Sequence, residues 1–280
     1  MSHRDDPPHP EGMRPLPRST QVAAVLSLVF LASCSTPQHH AQVPPRVRPF
    51  LHVAQLRPAV VSRTAWHAEP RAVSGPPLYD TEVKAVFIHH TDNPNDYDCR
   101  RDVPAMLRGI EESHVALGWD DLGYNFVVDR CGTIYEGRAG GVDAAVRGAH
   151  TEGFNVESVG IAALGNFGPG QKVPRPMLES IAAIAAWKLA PGVDPNGEVR
   201  LVSTDSRSRF AKGTAAELHA ISGHRDAYQT DCPGDALYDQ LPWIRRTAAA
   251  LRRKATYAPR PQPRSTSEAV PRSSRWAPLG

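Results

Sequence analysis

The sequence carries little charge of one sign and few long apolar runs. Its formal net charge at pH 7 is only +3 over 280 residues, and much of the excess arginine lies near the two ends. The charge pattern therefore gives no indication of a nucleic-acid-binding surface. The one long apolar run, residues 22–32, has about 11 residues, whereas a helix that spans a bilayer needs roughly 20. Its length is that of the hydrophobic region of a signal peptide.

Two further absences narrow the classes of protein. The sequence has no HExxH motif, which excludes the common helical zinc-protease site, and it has no internal repeats. Cysteine is scarce, with four residues in the chain. Cysteines behind an export signal normally form disulfides, so the role of each one has to be explained.

The N-terminal region predicts export. Residues 1–34 read as a signal peptide, and the expected start of translation is Met13, which is followed by a short basic stretch. The run closes with "LASC", residues 31–34, which resembles a bacterial lipobox. Cys34 would then be lipidated and would anchor the protein to the membrane. The alternative is an ordinary secretory signal with an incidental cysteine, and both alternatives place the protein outside the cytoplasm.

Proline marks the limits of the folded part. The 27 prolines crowd residues 7–77 and 258–278, and such stretches do not form a packed core. We therefore expect four parts after one another: a signal peptide (1–34), a proline-rich tether (35–60), a folded domain (61–254), and a proline-, serine- and arginine-rich tail (255–280).

Three segments are predicted to form strands. Residues 82–91 alternate apolar positions and are rich in β-branched and aromatic side chains. Residues 123–138 predict a hairpin around a turn at Gly132. Residues 158–167 are small and apolar, which is typical of a buried central strand.

Helical periodicity separates these strands. Asp102 is expected to cap a first helix that ends at Gly118, and a second helix is predicted from about 176 to 190. Residues 193–222 indicate an irregular hairpin that leads into a strand, and Pro242 is expected to start the last helix. Strands and helices alternate over about 195 residues, which indicates a single α/β domain.

Histidine and cysteine at strand ends are candidate metal ligands. His89 alone is more often a core or surface histidine, but His224 and Cys232 leave a strand eight residues apart, where short side chains can converge. A catalytic zinc site uses three such protein ligands and keeps a fourth position open for water. Together, His89, His224 and Cys232 supply that number.

Four motifs in fixed order resemble the family of peptidoglycan recognition proteins and zinc-dependent N-acetylmuramoyl-L-alanine amidases. They are "FIHHT" (87–91), "GWDDLGYNFVVDRCGTIYEGR" (118–138), "GAHTEGFNVESVGIAALGNF" (148–167) and "GHRDAYQTDCPG" (223–234). The resemblance extends over roughly residues 61–252. It implies an α/β domain with a central mixed sheet flanked by helices. It also implies one Zn²⁺ per chain, held by His89, His224 and Cys232.

The ligand role of Cys232 leaves two cysteines without an assignment. With Cys34 lipidated and Cys232 on zinc, Cys99 and Cys131 are expected to pair in an extracytoplasmic protein. The alternative is two free thiols.

The resemblance implies catalytic roles for Tyr124 and Thr230. Zinc lowers the pKa of a bound water, and the Tyr124 hydroxyl would stabilise the oxyanion while Thr230 orients the water or the oxyanion. The alternative for Tyr124 is a strand tyrosine packed on the core. Some zinc amidases have a glutamate in the central strand, whereas this chain has "GIAALG" there. The resemblance therefore assigns no residue as the proton carrier to the leaving amine.

The resemblance also implies a peptide groove. His114 and His150 match groove positions, although each is also typical of a capping or exposed histidine. Gly118, Trp119 and Arg138 resemble the combination associated with diaminopimelate-type stem peptides, whose extra carboxylate suits the fork of an arginine. The following residues, 139–146, depart from the family pattern, so the resemblance does not predict the shape of the groove beyond Arg138.

The expected function is hydrolysis of the amide bond between the muramic acid lactyl group and L-alanine, by a monomer whose partner is peptidoglycan. The rival hypothesis is a receptor module that binds peptidoglycan without cutting it. Non-cutting relatives commonly lack the cysteine ligand, whereas Cys232 is present. A zinc peptidase that cuts within the stem peptide is a third hypothesis, for which the sequence has no separate motif.

Overall fold

The structure is a computed structural model that describes residues 56–257. The predicted start at Met13, the signal peptide with Cys34, most of the tether and the tail beyond residue 257 lie outside the described residues. All described residues belong to one compact unit. Within that part of the chain, no helix combines the length and apolarity needed to cross a membrane.

A five-stranded mixed sheet organises the domain. In chain order the elements are a 3-10 turn (Pro70–Ala72), β1 (Ala85–His90), α1 (Val103–Ala116), β2 (Phe126–Val128), β3 (Ile134–Glu136), β4 (Ser158–Ala163), α2 (Arg175–Lys188), β5 (Glu198–Val202), β6 (Ala215–His219), β7 (Ile221–Gly223), α3 (His224–Ala227), α4 (Asp235–Tyr238) and α5 (Leu241–Tyr257). The strand order is β3-β2-β4-β1-β7, in which the β2–β3 hairpin is antiparallel and the other pairs are parallel. The predicted α/β class and mixed sheet are confirmed.

Both faces of the sheet are covered, which explains why the central strands are apolar throughout. All six residues of β4 are buried, and it lies in the middle of the sheet. Val86 and Ile88 of β1 join the core cluster with α2 and α5, whereas Phe87 points to the other face, against residues of the separate β5–β6 sheet. On that second face α1 covers the β2 side through Val103 and Leu107.

The first helix begins differently from the prediction. Asp102 occupies the N-cap position, but its side chain makes no capping hydrogen bond. Its Oδ2 accepts instead from the Asp98 N–H, while Asp98 Oδ1 accepts from the N–H groups of Arg100 and Arg101. Asp98 therefore satisfies the free donors that precede the helix. The helix ends as predicted, with Gly118 at φ +81° just beyond it.

The domain extends beyond its predicted limits at both ends. Residues 56–60 were assigned to the tether, yet Leu56 and Val60 pack against the core. At the other end, α5 runs to Tyr257, and Ala255 is buried. The predicted 193–222 hairpin forms the separate β5–β6 sheet, and β7 then returns to the main sheet beside β1.

A disulfide joins two loops, as expected from the cysteine assignment. Cys99 and Cys131 are bonded with an S–S distance of 2.08 Å. Cys99 lies between β1 and α1, and Cys131 lies in the β2–β3 turn beside Gly132, whose φ is +86°. The disulfide therefore links the loop that follows β1 to the edge hairpin of the sheet. The thiol of Cys232 is free.

Candidate metal centre and groove

Two histidines and a cysteine meet where parallel strands end. His89 is the penultimate residue of β1, His224 follows β7 directly as the first residue of α3, and Cys232 lies in the loop after α3. β1 and β7 are parallel neighbours, so their carboxyl ends bring these segments to one edge. One ligand atom from each residue lies within 4.8 Å of the other two, and Cys232 Sγ is 3.7 Å from His89 Nδ1. The structure thus brings together the three predicted ligands.

Hydrogen bonds fix the cysteine in this position. The His90 N–H donates to Cys232 Sγ at 3.4 Å. The Arg225 N–H donates to the Cys232 carbonyl at 2.9 Å, and Thr230 Oγ1 accepts from the Cys232 N–H at 3.2 Å. Thr230, predicted as a catalytic residue, therefore lies against the backbone of a predicted ligand.

Burial keeps the donor atoms of the cluster in their neutral forms. It lowers the pKa of His89 well below its usual range, an effect that the neighbouring His224 strengthens, and it lowers the pKa of His224 to about 4. Burial also raises the pKa of the Cys232 thiol to about 12, so a thiolate here needs a cation beside it. Neutral imidazole nitrogens with one thiol are the donor set that zinc binds. The residues present therefore fit the expected ion.

Tyr124 lies beside the cluster and also packs on the core. Its ring centroid is 5.2 Å from that of His89, while the side chain contacts the hydrophobic cluster under α1. Burial raises its pKa, and the nearby Cys232 raises it further. The phenol is therefore protonated at neutral pH and can donate a hydrogen bond. Tyr124 thus has both environments that its two interpretations require, the candidate metal ligands for a catalytic role and the hydrophobic core for a packing role.

A cavity of about 470 Å³ opens beside the cluster. Its lining combines aromatic, charged and amide side chains: Trp119, Ala149, His150, Glu152, Asn155, Arg207, His224 and Tyr228. Trp119 and His150 are predicted groove residues. His150 is buried, and its pKa is lowered to about 3, chiefly by burial and also by His224 and Arg138.

Three predicted groove residues are not among the residues that line this cavity. His114 Nδ1 accepts from the Gly123 N–H at 2.9 Å, and its ring packs 4.6 Å from Trp119. Gly118 ends α1 without contributing a side chain. Arg138 Nη1 donates to the carbonyls of Trp119, at 3.1 Å, and Leu122, at 3.4 Å. His114 and Arg138 thus support the segment that carries Trp119.

Part of the cavity lining was not predicted from the sequence. Arg207, in the β5–β6 loop, pairs with Glu152 and with Asp205. That loop is fixed to the turn after His150, since the Thr204 N–H donates to the Gly153 carbonyl at 2.8 Å. Pairing between segments so far apart in sequence leaves no local pattern that predicts it.

Two more lining residues adjoin the histidines. Tyr228 stacks on His224, with ring centroids 5.3 Å apart and planes at 19°. Asn155 stabilises the turn after His150, because its Oδ1 accepts from the N–H groups of His150 and Thr151. Asn155 also lines the cavity.

The fold and the cluster define an α/β protein with a candidate three-ligand metal site beside a groove. A sequence model of the N-acetylmuramoyl-L-alanine amidase family, Amidase_2, matches residues 79–235, more than half of the chain. The chain belongs to this family, which confirms the resemblance found in the motifs.

Relatives named as amidases and as recognition proteins both match. The N-acetylmuramoyl-L-alanine amidase of Homo sapiens is 31% identical over 222 residues, which cover 77% of this chain and 33% of the human protein. The chain thus spans about a third of that relative. Peptidoglycan-recognition protein SC2 of Drosophila simulans is 28% identical over 193 residues, which cover 69% of this chain and 89% of that protein.

Solved structures share the fold. Drosophila peptidoglycan recognition protein SA superposes with a TM-score of 0.51 at 22% identity, over 66% of this chain and 91% of that chain. Peptidoglycan recognition protein LE, solved in complex with tracheal cytotoxin, gives a TM-score of 0.51 at 24% identity, over 66% and 93% of the two chains. At such identities the likeness shows the fold alone.

Proposed function

We propose that this protein is a zinc-dependent N-acetylmuramoyl-L-alanine amidase, which hydrolyses the amide bond between the lactyl group of muramic acid and L-alanine in peptidoglycan. The observation that carries the proposal is the convergence of His89, His224 and Cys232 next to Tyr124. Membership of the amidase family supports it.

His89 would hold the ion through Nδ1, the nitrogen that faces Cys232, while His224 contributes a ring nitrogen and Cys232 its Sγ. A bound zinc ion supplies Lewis-acid chemistry, in which it activates water and polarises the scissile carbonyl. Since the chain provides three ligands, a fourth position is left for that chemistry.

Two hydroxyl groups would act on the reacting atoms. Tyr124 is protonated at neutral pH and next to the cluster, so its O–H can donate to the oxyanion that develops on the amide carbonyl. Thr230 Oγ1 accepts from the Cys232 N–H, which leaves its own proton available to orient the water or the oxyanion.

The cavity would hold the stem peptide. Peptidoglycan recognition protein LE was solved with monomeric diaminopimelic acid-type peptidoglycan, and we extend that substrate class to this chain. Within the described residues Arg138 uses Nη1 for its two hydrogen bonds, so Nε and Nη2 stay available for a carboxylate near Trp119. With peptidoglycan as substrate, the protein would act outside the cytoplasm as a monomer, either secreted or tethered to the membrane by a lipidated Cys34.

Metal content and activity test the proposal together. The purified protein should hold one zinc per chain, and His224→Gln should lose both the zinc and the release of peptides from peptidoglycan. His67→Gln is the matched control, because His67 is exposed and outside the cluster. Zinc-free protein with full activity in chelator would contradict the proposal. Binding to peptidoglycan without any release would favour the receptor hypothesis.

A further inference from the structure

Three buried side chains, His89, Thr151 and His150, form a row from the proposed metal ligands to the cavity. Thr151 is fully buried, and its Oγ1 lies 3.3 Å from His89 Nε2 and 3.0 Å from His150 Nδ1. His150 Nε2 is buried without a hydrogen-bond partner among the described residues, and His150 is one of the residues that line the cavity. The row therefore ends on an unpartnered polar atom beside the space for a ligand.

Metal binding at His89 would determine which atom donates and which accepts in each of these hydrogen bonds. A neutral imidazole that binds a metal through Nδ1 carries its proton on Nε2, so His89 donates to Thr151 Oγ1. The Thr151 proton then points to His150 Nδ1, the other polar atom that contacts the hydroxyl. An imidazole that accepts at Nδ1 carries its own proton at Nε2.

We propose that Thr151 is a positioning residue that fixes His150 as a hydrogen-bond donor, through Nε2, to a carbonyl oxygen of the bound peptide. The inference rests on the proposed function, because it requires a metal at His89 Nδ1 and a peptide in the cavity. It assigns Thr151 a role in both metal binding and substrate binding.

The surroundings prevent His150 from adopting another orientation. Asn155 Oδ1 accepts from the backbone N–H groups of both His150 and Thr151, at 2.9 and 2.8 Å. The His150 ring lies on Gly160 of β4, where an added Cβ would be 2.4 Å from His150 Cγ. Because the ring is wedged between this glycine and the turn, a hydrogen bond at Nδ1 determines which atom faces the cavity.

The tautomer of His150 is the direct test, and NMR of the ¹⁵N-labelled, zinc-loaded protein measures it. We expect His150 to be protonated at Nε2 and unprotonated at Nδ1. Thr151→Val keeps the shape but removes the hydroxyl, so His150 should become a mixture of tautomers, whereas Thr151→Ser should match the wild type. Protonation of His150 at Nδ1 in the zinc-loaded wild type, or an unchanged tautomer in Thr151→Val, would overturn the inference.

Metal affinity and kinetics provide a second measurement. Partners of a ligating histidine typically contribute at least about tenfold to metal affinity, so Thr151→Val should bind zinc about tenfold more weakly in chelator competition. At saturating zinc its KM for a muropeptide should rise about fivefold, the usual effect of one mismatched hydrogen bond, with kcat changed less than about twofold. Thr151→Ser should restore both values.

The two proposals fail in different ways. A wild-type protein that takes up no zinc contradicts the proposed function and this inference with it. Normal zinc affinity and normal KM in Thr151→Val, in a protein that is an active zinc amidase, would overturn the inference alone.

Discussion

Cys232 is held by hydrogen bonds to three neighbouring residues that do not require a metal. The His90 N–H donates to the sulfur, Thr230 Oγ1 accepts from the cysteine N–H, and the Arg225 N–H donates to the cysteine carbonyl. Burial opposes a thiolate in this place, so the arrangement is favourable once a cation is bound. The site is therefore preorganised for a metal ion.

Tyr124→Phe should lower turnover about 10²- to 10³-fold while zinc and substrate affinity stay near the wild-type values. The hydroxyl is proposed to act on charge that exists only in the transition state, so ground-state binding does not depend on it. Kinetics on a soluble muropeptide, with zinc content measured in parallel, checks this. A variant with near-normal kcat would leave Tyr124 with core packing alone.

Arg138 should discriminate between stem peptides by charge and shape. Diaminopimelate has a carboxylate that lysine lacks, and charged hydrogen bonds correspond to about 10- to 150-fold in rate between matched muropeptides. Arg138→Ala should lose the discrimination, and Arg138→Lys should restore it poorly because an ammonium lacks the fork. Equal rates of the wild type on both muropeptides would remove Arg138 from the account of specificity.

His114 should make the metal-free protein less stable in acid. Burial is the main cause that lowers its folded-state pKa to about 4, against 6.5 when exposed. As the pH falls below 6.5, the unfolded chain takes up a proton that the folded chain refuses until about pH 4. The free energy of unfolding therefore falls, by roughly 3 kcal/mol over this window from His114 alone.

The variant His114→Asn isolates this contribution. Its amide oxygen can accept from the Gly123 N–H but does not titrate. Between neutral pH and about pH 4.5, urea denaturation in chelator should show a loss of stability roughly 2 kcal/mol smaller than in the wild type. The exposed His67→Asn serves as control. Identical pH dependence in His114→Asn and the wild type would contradict the assignment.

The sequence predicts the elements around the site, but it does not predict where all of them pack. β1 and α1 were predicted from their periodic apolar patterns, β4 from a short apolar run, and the β2–β3 hairpin from the turn at Gly132. The proposed ligands were predicted because they lie in recognisable motifs at or near strand ends. The 193–222 hairpin was also predicted, but its separation from the main sheet and the pairing of Arg207 with Glu152 depend on contacts between distant segments, which the local sequence does not specify.

The start of α1 shows that the local sequence does not determine hydrogen-bond partners even over a few residues. A helix start can be satisfied by any nearby aspartate, and here Asp98 accepts the backbone donors while Asp102 pairs with Arg101. The role of Thr151 also depends on a distant partner, His89 of β1. In both cases the residue type was compatible with several partners, and tertiary packing selected one.

The disulfide should stabilise the domain without touching the site. Cys99 and Cys131 are 32 residues apart, and closing such a loop contributes roughly 3 to 4 kcal/mol to stability. In the Cys99→Ala/Cys131→Ala double variant, the free energy of unfolding from denaturant titration should be lower by that amount, and zinc binding should be retained. Non-reducing peptide mapping of the wild type should find this pair. A peptide that links Cys232 to either residue would contradict the account.

The whole molecule positions one edge of a sheet for chemistry. α2 and α5 pack together on one face, and α1 and the β5–β6 sheet cover the other. The proposed metal ligands lie at the carboxyl ends of β1 and β7 and in the loop after α3. The cavity lined by Trp119, His224 and Arg207 borders that edge. The described domain thus contains both the proposed ligands and the proposed substrate groove.

The most direct test of zinc amidase activity is mass analysis of the fragments that the protein releases from purified peptidoglycan. The account predicts free stem peptides that begin with L-alanine and glycan strands with intact lactyl groups. It also predicts that chelator stops the release, that added zinc restores it, and that Cys232→Ser releases nothing. Fragments cut within the stem peptide or within the glycan, or full release by Cys232→Ser, would contradict it.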